Sequence, residues 1–415
     1  MSIPTRTVQD CWPIQYDEAA GKDAIRGSEV TLNDEMLLKA ARQWSEELPA
    51  RSDEIETARR LPADISQAFA SAGFYHALVP REFGGIEAHP HSLVDMIREV
   101  ARGDGSAGWN VMIGATTGLL AASLREDLAA EIYGQSPGVM TVGVTAPLGR
   151  AEKLDGGCRV TGRWPFGSGS QNADWICGGT FVYQGDERVP GRKGPPDIHL
   201  MMFEKNQVEI EDTWRVSGLR GTGSHHFHVD DQWVPEGRWV VMGERARIER
   251  PLYQFPMLGL LALGVSSVSL GIGEKALRAF KELAVGKTPT GSNRSLANRS
   301  QIQALTAASV ADLESARSFI HMVIDEAYRE AEKGNRLSQA IKARLRLAAA
   351  NATHRSVAAV DRLYQAGGGS SIYDESDLQR CFRDIHVTTQ HIMVASPVFE
   401  AIGRVELGME AGSPL

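Results

Sequence analysis

Hydrophobic positions change their spacing twice along the chain, and each change marks a change of element type. From 33 to 135 the spacing is helical. Leu37, Ala40, Ala41 and Trp44 put one apolar face on a first helix. "LPADISQAFASAGFY" predicts a second helix that stops near Gly73. "PREFGG" (80–85) is a turn. "SLVDMIREVARGD" and "GSAGWNVMIGATTGLLAASL" predict two more helices, the latter apolar on nearly every side and therefore buried. Near 138 short β-rich runs begin, broken by Gly, Pro, Asp and Asn: "GVMTVGVTAPLG", "CRVTGRWPFGSGS", "DWICGGTFVYQ", "IHLMMFEK" and "SHHFHVDDQWVP". In the last, His226, His228 and Asp230 alternate with Phe227 and Val229, which predicts a half-exposed strand with solvent-facing histidines. Residues 187–197 read as a loop. Beyond about 245 helices return. Ile341, Leu345, Ala348, Ala352, Ala359, Leu363 and Ala366 form one long apolar stripe, and 299–333 behaves similarly. The most apolar run, 257–273, is short for a membrane span and leads into a charged helix, so a buried core helix is expected. The organisation is a loosely ordered tail (1–30), an N-terminal α-helical domain (31–137), a middle β domain (138–243) and a C-terminal helical bundle (244–415).

Composition narrows the chemistry by exclusion. The 415 residues carry a net charge of −8 and no Lys/Arg block, which argues against nucleic acid or an anionic membrane as partner. Cys11, Cys158, Cys177 and Cys381 share no short metal spacing, and with no apolar signal core at the N-terminus they suggest free thiols in the cytoplasm. HExxH, P-loop, GxSxG and clustered metal ligands are absent from the sequence, which disfavours zinc or triad chemistry; no metal is expected.

Three segments carry candidate chemistry. "GRWPFGSGS" (162–170) joins two strands. By itself it is a β-turn, but it also suits a strand edge presenting Ser168 to a flat cofactor, with Gly167 and Gly169 permitting close approach. "QAGGGSSIYDESDLQRCFRD" (365–384) has three consecutive glycines where one caps a helix; exposed amides there suit an anion or an electron-rich ring edge, and a flexible connection is the plain alternative. "RCFRDIHVTTQHIMVASP" (380–397) reads as a helix with Thr388 and His391 on one face. His391 is either a packed structural histidine or a donor or base for an oxygen intermediate. "WRVSGLRGTGSHHFHV" (214–229) is a further Gly-rich turn, not a dinucleotide fingerprint.

In order, "LVPREFGG", "GSAGW", "APLGRAEKLDGGCRVTGRWPFGSGSQNADW", "GLRGTGSHHFHVDDQWVP" and "AGGGSSIYDESDLQRCFRDIHVTTQH" resemble the acyl-CoA dehydrogenase superfold over about 33–410. The resemblance implies a mainly α protein: an N-terminal α domain, a middle β-barrel domain and a C-terminal four-helix bundle. Dehydrogenases of this fold need a carboxylate to abstract the thioester α-proton. No acid lies between Asp384 and Glu400, nor in 251–273. The chain therefore looks most like the two-component flavin-dependent monooxygenases, which carry a histidine where His391 stands. What this implies is reduced flavin (FMN or FAD) from a separate flavin reductase, O2, a flavin C4a-hydroperoxide, and hydroxylation of a small aromatic or heteroaromatic molecule by a homotetramer. Ser168 matches the family hydroxyl near flavin N5, and His391 would stabilise the hydroperoxide or deprotonate the substrate. Flavin contacts are expected at Thr145, Phe166, Gly167 and Ser168, and across a subunit interface at Gly367, Gly368, Gly369 and Ser370. Substrate contacts are expected at Trp109, Asn110, Thr117 and Thr388. Some phenol hydroxylases have a histidine near the place of Thr117, so indoles, other heteroaromatics or amines stay open as substrates. A dehydrogenase or oxidase with an unusually placed base, and a flavin-binding scaffold, are the alternatives.

Overall fold

The computed structural model describes residues 32–136, 138–192 and 194–415, so the expected tail lies outside the described residues. The first layer is helical: α1 (Leu32–Glu47), α2 (Ser52–Ala58), α3 (Ala63–Ser71), α4 (Pro90–Gly103), α5 (Gly105–Thr117) and α6 (Glu126–Tyr133). The stripe on α1 faces inward, with Leu37 and Ala41 fully buried and Trp44 edge-on to Phe69 at 5.2 Å. Buried from Gly105 to Thr116, α5 is the most enclosed of these helices. Asp104 caps it, its Oδ1 accepting from Ala107 N at 3.0 Å. Small residues let it sit close to its neighbours: a Cβ on Gly108 would lie 2.5 Å from Ala101 Cβ, and one on Gly114 2.5 Å from the Tyr75 ring. The apolar run continues past α5 only as a 3-10 turn, Gly118–Ala122.

Eight strands follow: β1 (Thr141–Leu154), β2 (Gly157–Gly167), β3 (Trp175–Gln184), β4 (Glu187–Arg188), β5 (His199–Glu204), β6 (Glu209–Glu211), β7 (His225–Pro235) and β8 (Trp239–Val241). They form one sheet in the order β6-β7-β2-β1-β3-β5-β8, with β4 on β3. In its hydrogen bonding the expected barrel is open, with β6 and β8 as its ends. The segment expected as a loop from 187 begins as a short strand, because Glu187 and Arg188 close a hairpin onto Gln184 and Tyr183. Strands β1 and β3 pair in parallel, and their register slips between Val144 and Gly149. This irregularity frees Thr145 and Ala146 from the ladder. Tryptophan 164 organises the sheet interior. Its indole fills a slot floored by Gly149, Gly162 and Gly178, where an added Cβ would come within 2.5–2.6 Å of the ring, and its Nε1 donates to Gly179 O at 2.9 Å. Along β7, Phe227 and Val229 are buried and His226 and His228 half-buried, as the alternation predicts. The two histidines are engaged rather than free: Arg163 lies 2.9 Å from His226, and Glu211 3.1 Å from His228.

After one helical turn at Pro251–Gln254 come the long helices α7 (Met257–Gly286), α8 (Ser300–Glu332) and α9 (Gln339–Gly367), then α10 (Asp377–Thr388) and α11 (Pro397–Glu406). Among the described residues α7 alone is long and apolar enough to cross a membrane, and 78% of its apolar window is buried against the rest of the protein. Leu345, Ala348, Ala352, Ala359 and Leu363 of α9 are fully buried, which places the predicted stripe in the core. One expectation fails here. The helix bearing the Arg-Asp pair ends at Thr388, and His391 lies in the turn that follows, so Thr388 and His391 do not share a helical face.

Candidate active site

A cavity of about 450 Å³ opens where the N-terminal helices, the sheet and the C-terminal bundle meet. That is the usual size of a small-molecule site. Four elements build its wall: α5 gives Trp109, Ile113, Thr116 and Thr117; the irregular part of β1 gives Gly143–Ala146; the end of β2 gives Pro165, Phe166 and Ser168; and the turn after α10 gives Gln390–Met393. Trp214, Ser224, Met257 and Leu261 line it as well. No Asp, Glu, Lys or Arg lines it among the described residues. Cys177 lines it too, but burial pushes its thiol up to about 12, so it stays protonated and inert.

Ser168 is held from three sides. Phe166 adopts a left-handed φ of +67°, rare for a bulky residue, and its carbonyl accepts from Ser168 N at 2.9 Å. Trp109 Nε1 donates to Ser168 Oγ at 3.0 Å, and Ser224 Oγ lies 2.7 Å away. Ser224 in turn contacts Thr222 Oγ1 at 2.7 Å, and Thr222 Oγ1 donates to Leu219 O at 2.9 Å. Leu219 is also left-handed, at φ +49°, and its N–H donates to Asp384 Oδ1 at 2.6 Å. The Arg-Asp pair thus pins the Gly-rich turn 214–224. Gly218 makes this possible, since a Cβ there would meet Arg383 O at 2.2 Å. Glu56 ties the same corner by accepting from Arg383 at 2.7 Å and Arg380 at 3.0 Å. Burial pushes the Asp384 carboxyl up to about 7, against the lowering effect of the Leu219 amide.

His391 stacks edge-on against Trp109, with ring centroids 5.5 Å apart. Its Nδ1 accepts from Met393 N at 3.3 Å. A backbone amide can only donate, so Nδ1 carries no proton and the neutral ring carries it on Nε2. Burial, and then the Arg346 guanidinium, push the imidazolium down to about 4, so the ring is neutral at pH 7. Arg346 is itself buried and donates Nε to Met393 O at 3.2 Å, which fixes the same turn.

The residues expected at the site separate into two groups. Thr145, Phe166, Ser168, Trp109, Thr117 and His391 line the cavity. Asn110 does not. It lies on the far side of α5, donating Nδ2 to Ser106 O at 2.9 Å and Gly221 O at 3.3 Å, and so binds the helix to the Gly-rich turn. Thr388 does not either. Its hydroxyl donates to Ile385 O at 2.7 Å and accepts from Ser269 at 3.0 Å, packing α10 onto α7. Gly167 sits behind the wall, against the Phe227 ring. Gly367, Gly368, Gly369 and Ser370 line no part of this cavity; Gly368 and Gly369 face solvent where α9 ends. Sequence reading missed Trp214 and Ser224, and the one signal for them was the Gly-rich turn on which they sit. It also missed Ile392, on the turn with His391. The lining suits a flavin: a mainly apolar space with the Ser168 hydroxyl at the end of β2 on one side and the His391 imidazole on the other.

The acyl-CoA dehydrogenase N-terminal domain model matches residues 31–127, and the C-terminal domain model matches 263–396. An indole-3-acetate monooxygenase of Pseudomonas putida is 33% identical over 361 residues, spanning 87% of this chain and 91% of its own. The oxygenase component of an FADH2-dependent resorcinol hydroxylase from a Rhizobium is 29% identical, spanning 86% of this chain and 90% of its own. The crystal structure of a monooxygenase from Mycobacterium tuberculosis superposes with a TM-score of 0.84 at 26% identity, covering 92% of this chain and 99% of that one. A Streptomyces protein solved with FADH2 shares the fold, with a TM-score of 0.85. The chain belongs to the acyl-CoA dehydrogenase family and, within it, to the flavin-dependent monooxygenases that use reduced flavin and O2.

Proposed function

We propose that the cavity holds the ring of a reduced flavin against Ser168, with an electron-rich heteroaromatic substrate of the indole type beside His391 and Trp109. One oxygen atom of O2 is transferred to that substrate. When bound, the flavin supplies the electrons that activate O2; everything else falls to this chain. Trp109 and Ser168 fix the ring edge, and Ile113, Leu200 and Leu261 exclude water from it. His391 presents Nε2–H into the cavity as a donor to a developing oxyanion.

The observation that carries this reading is the absence of any available base in the wall. Among the described residues no carboxylate lines it, so none of them abstracts a thioester α-proton there. His391 has its lone pair committed to Met393 N–H. Thr117, in the place of a histidine in some phenol-hydroxylating relatives, donates its proton to Ile113 O at 2.7 Å. A substrate that reacts without first losing a proton fits this wall better than a simple phenol. The indole-3-acetate monooxygenases among the relatives agree with that class. A separate flavin reductase is the partner, since the relatives are named as oxygenase components or subunits. The exposed Gly368–Gly369 loop, flanked by exposed Ile372 and Tyr373, is assigned to a subunit interface of a homotetramer, where it meets a neighbour's flavin.

The test mixes the protein with photoreduced FMN or FADH2, then with 18O2 and indole-3-acetate, indole or p-hydroxyphenylacetate. Product mass gaining one labelled oxygen from the indoles, and little from the phenol, is expected. Hydrogen peroxide as the sole product from every substrate overturns the reading. Turnover of an acyl-CoA with an artificial electron acceptor would restore the dehydrogenase alternative.

A further inference from the structure

We infer that Thr222 and Ser224 are positioning residues that orient the Ser168 hydroxyl as a pure acceptor, and so make the site select reduced over oxidised flavin. The inference rests on the reading above that Ser168 meets flavin N5.

The direction of the hydroxyl chain follows from its two ends. Leu219 C=O can only accept, and Thr222 Oγ1 lies 2.9 Å from it, so the single Thr222 proton points there. Thr222 Oγ1 must then accept from Ser224 across 2.7 Å. With its proton used, Ser224 accepts from Ser168 across 2.7 Å. At the other end Trp109 Nε1 can only donate, and it gives its proton to Ser168 Oγ at 3.0 Å. Ser168 therefore donates to Ser224 rather than to an occupant of the cavity, and keeps one lone pair for whatever fills it. The three hydroxyl residues and Trp109 are all buried, so water does not readily reorder the chain.

Oxidised and reduced isoalloxazine differ at N5 in the matching sense. The oxidised ring has a lone pair there, and the reduced ring has an N–H. A lone pair facing an acceptor-only hydroxyl is repelled, whereas an N–H is bound. Leu219, which terminates the chain, is held by Asp384 and accepts as well from Trp214 Nε1 at 3.1 Å. The Gly-rich turn and the Arg-Asp pair thereby acquire a role at a ring edge that neither touches.

The test is anaerobic titration with FMN and FAD, each oxidised and dithionite-reduced, on the unmodified protein, Thr222→Val, Ser224→Ala and Ser168→Ala. Thermal melts establish that each variant folds. Thr222→Val is the cleaner change, because Thr222 does not line the cavity and valine keeps its shape. It leaves Ser224 free to donate to Ser168, which releases the Ser168 proton towards the cavity. The expected result is a preference for reduced flavin that narrows about tenfold in Thr222→Val and Ser224→Ala, roughly the worth of one hydrogen bond. In a Ser168→Ala background the Thr222 change has no further effect. An unchanged preference in both distal variants, with binding intact, overturns the inference and leaves the flavin site standing. Failure of the unmodified protein to bind any of the four forms overturns the flavin reading itself.

Discussion

At the residue scale the proposed chemistry turns on one imidazole proton. His391 has Nδ1 tied to Met393 N–H and a conjugate acid pushed down to about 4, so it is a neutral donor across the physiological range. Because the folded value lies below that of a free histidine, the neutral ring's contribution to stability is present above about 6.5 and is lost as pH falls through 4. Product yield between pH 5.5 and 8 should therefore show no limb near 6.5. A titration at that pH that disappears in His391→Asn would contradict the assignment. His391→Asn keeps an N–H donor and should retain more product yield than His391→Ala, which should lose about 10- to 100-fold, the usual cost of one oxyanion donor or somewhat less. Equal loss in both would instead favour a base. This histidine was legible in the sequence, but its tautomer was not, since that depends on which amide the turn brings round. Asn110 and Thr388 were misassigned for a related reason. Each sits near a true lining residue in sequence, and helical geometry turns it to the opposite wall.

At the element scale the site is held by packing that tolerates no extra atoms. Ser168 stands at the end of β2, and the strand's position is set by Trp164 in its glycine slot. Gly178→Ala would push a Cβ to 2.6 Å from that indole. Overpacking of this kind costs about 1–3 kcal/mol, to be read as a lowered denaturant midpoint with an unchanged slope. The Arg-Asp corner makes a second prediction, with a pH sign. Asp384 is raised in the folded state to about 7, so its contribution is complete below about 4 and is lost as pH rises through 7. Asp384→Asn keeps an oxygen for the Leu219 amide but never ionises. Its stability relative to the unmodified protein should rise between pH 5 and pH 8, by roughly 2–3 kcal/mol. A difference that is flat with pH would mean the folded carboxyl ionises near its ordinary value, with a cation or solvent beside it. The periodicity made the element types legible here. It could not give the bulge in β1 or the slot beneath Trp164, because both come from pairing between strands distant in sequence.

At the scale of the whole molecule the sequence motifs separate into two surfaces. "GSAGW", "GRWPFGSGS", the Gly-rich turn and the His391 segment converge on one cavity. The "AGGGSS" loop does not reach it. The loop presents Gly368 and Gly369 to solvent beside Ile372 at 64% and Tyr373 at 65% exposure, an apolar patch that the proposed interface would cover. Gly368 holds a backbone at φ +57° that other residues rarely adopt, which ends α9 and turns the chain so that Ser371 N donates to Gly368 O at 2.9 Å. If a second copy covers this loop, oligomer and cofactor site are one structure, and breaking the first must weaken the second. Ile372→Asp with Tyr373→Asp should shift the light-scattering mass from that of the proposed tetramer towards smaller species, and should weaken reduced-flavin affinity in the same samples. Both changes should reverse together as protein concentration is raised, because mass action restores the interface without altering the cavity. A tetramer that survives the substitutions, or a monomer that binds reduced flavin as tightly as the unmodified protein, would assign the loop to another partner.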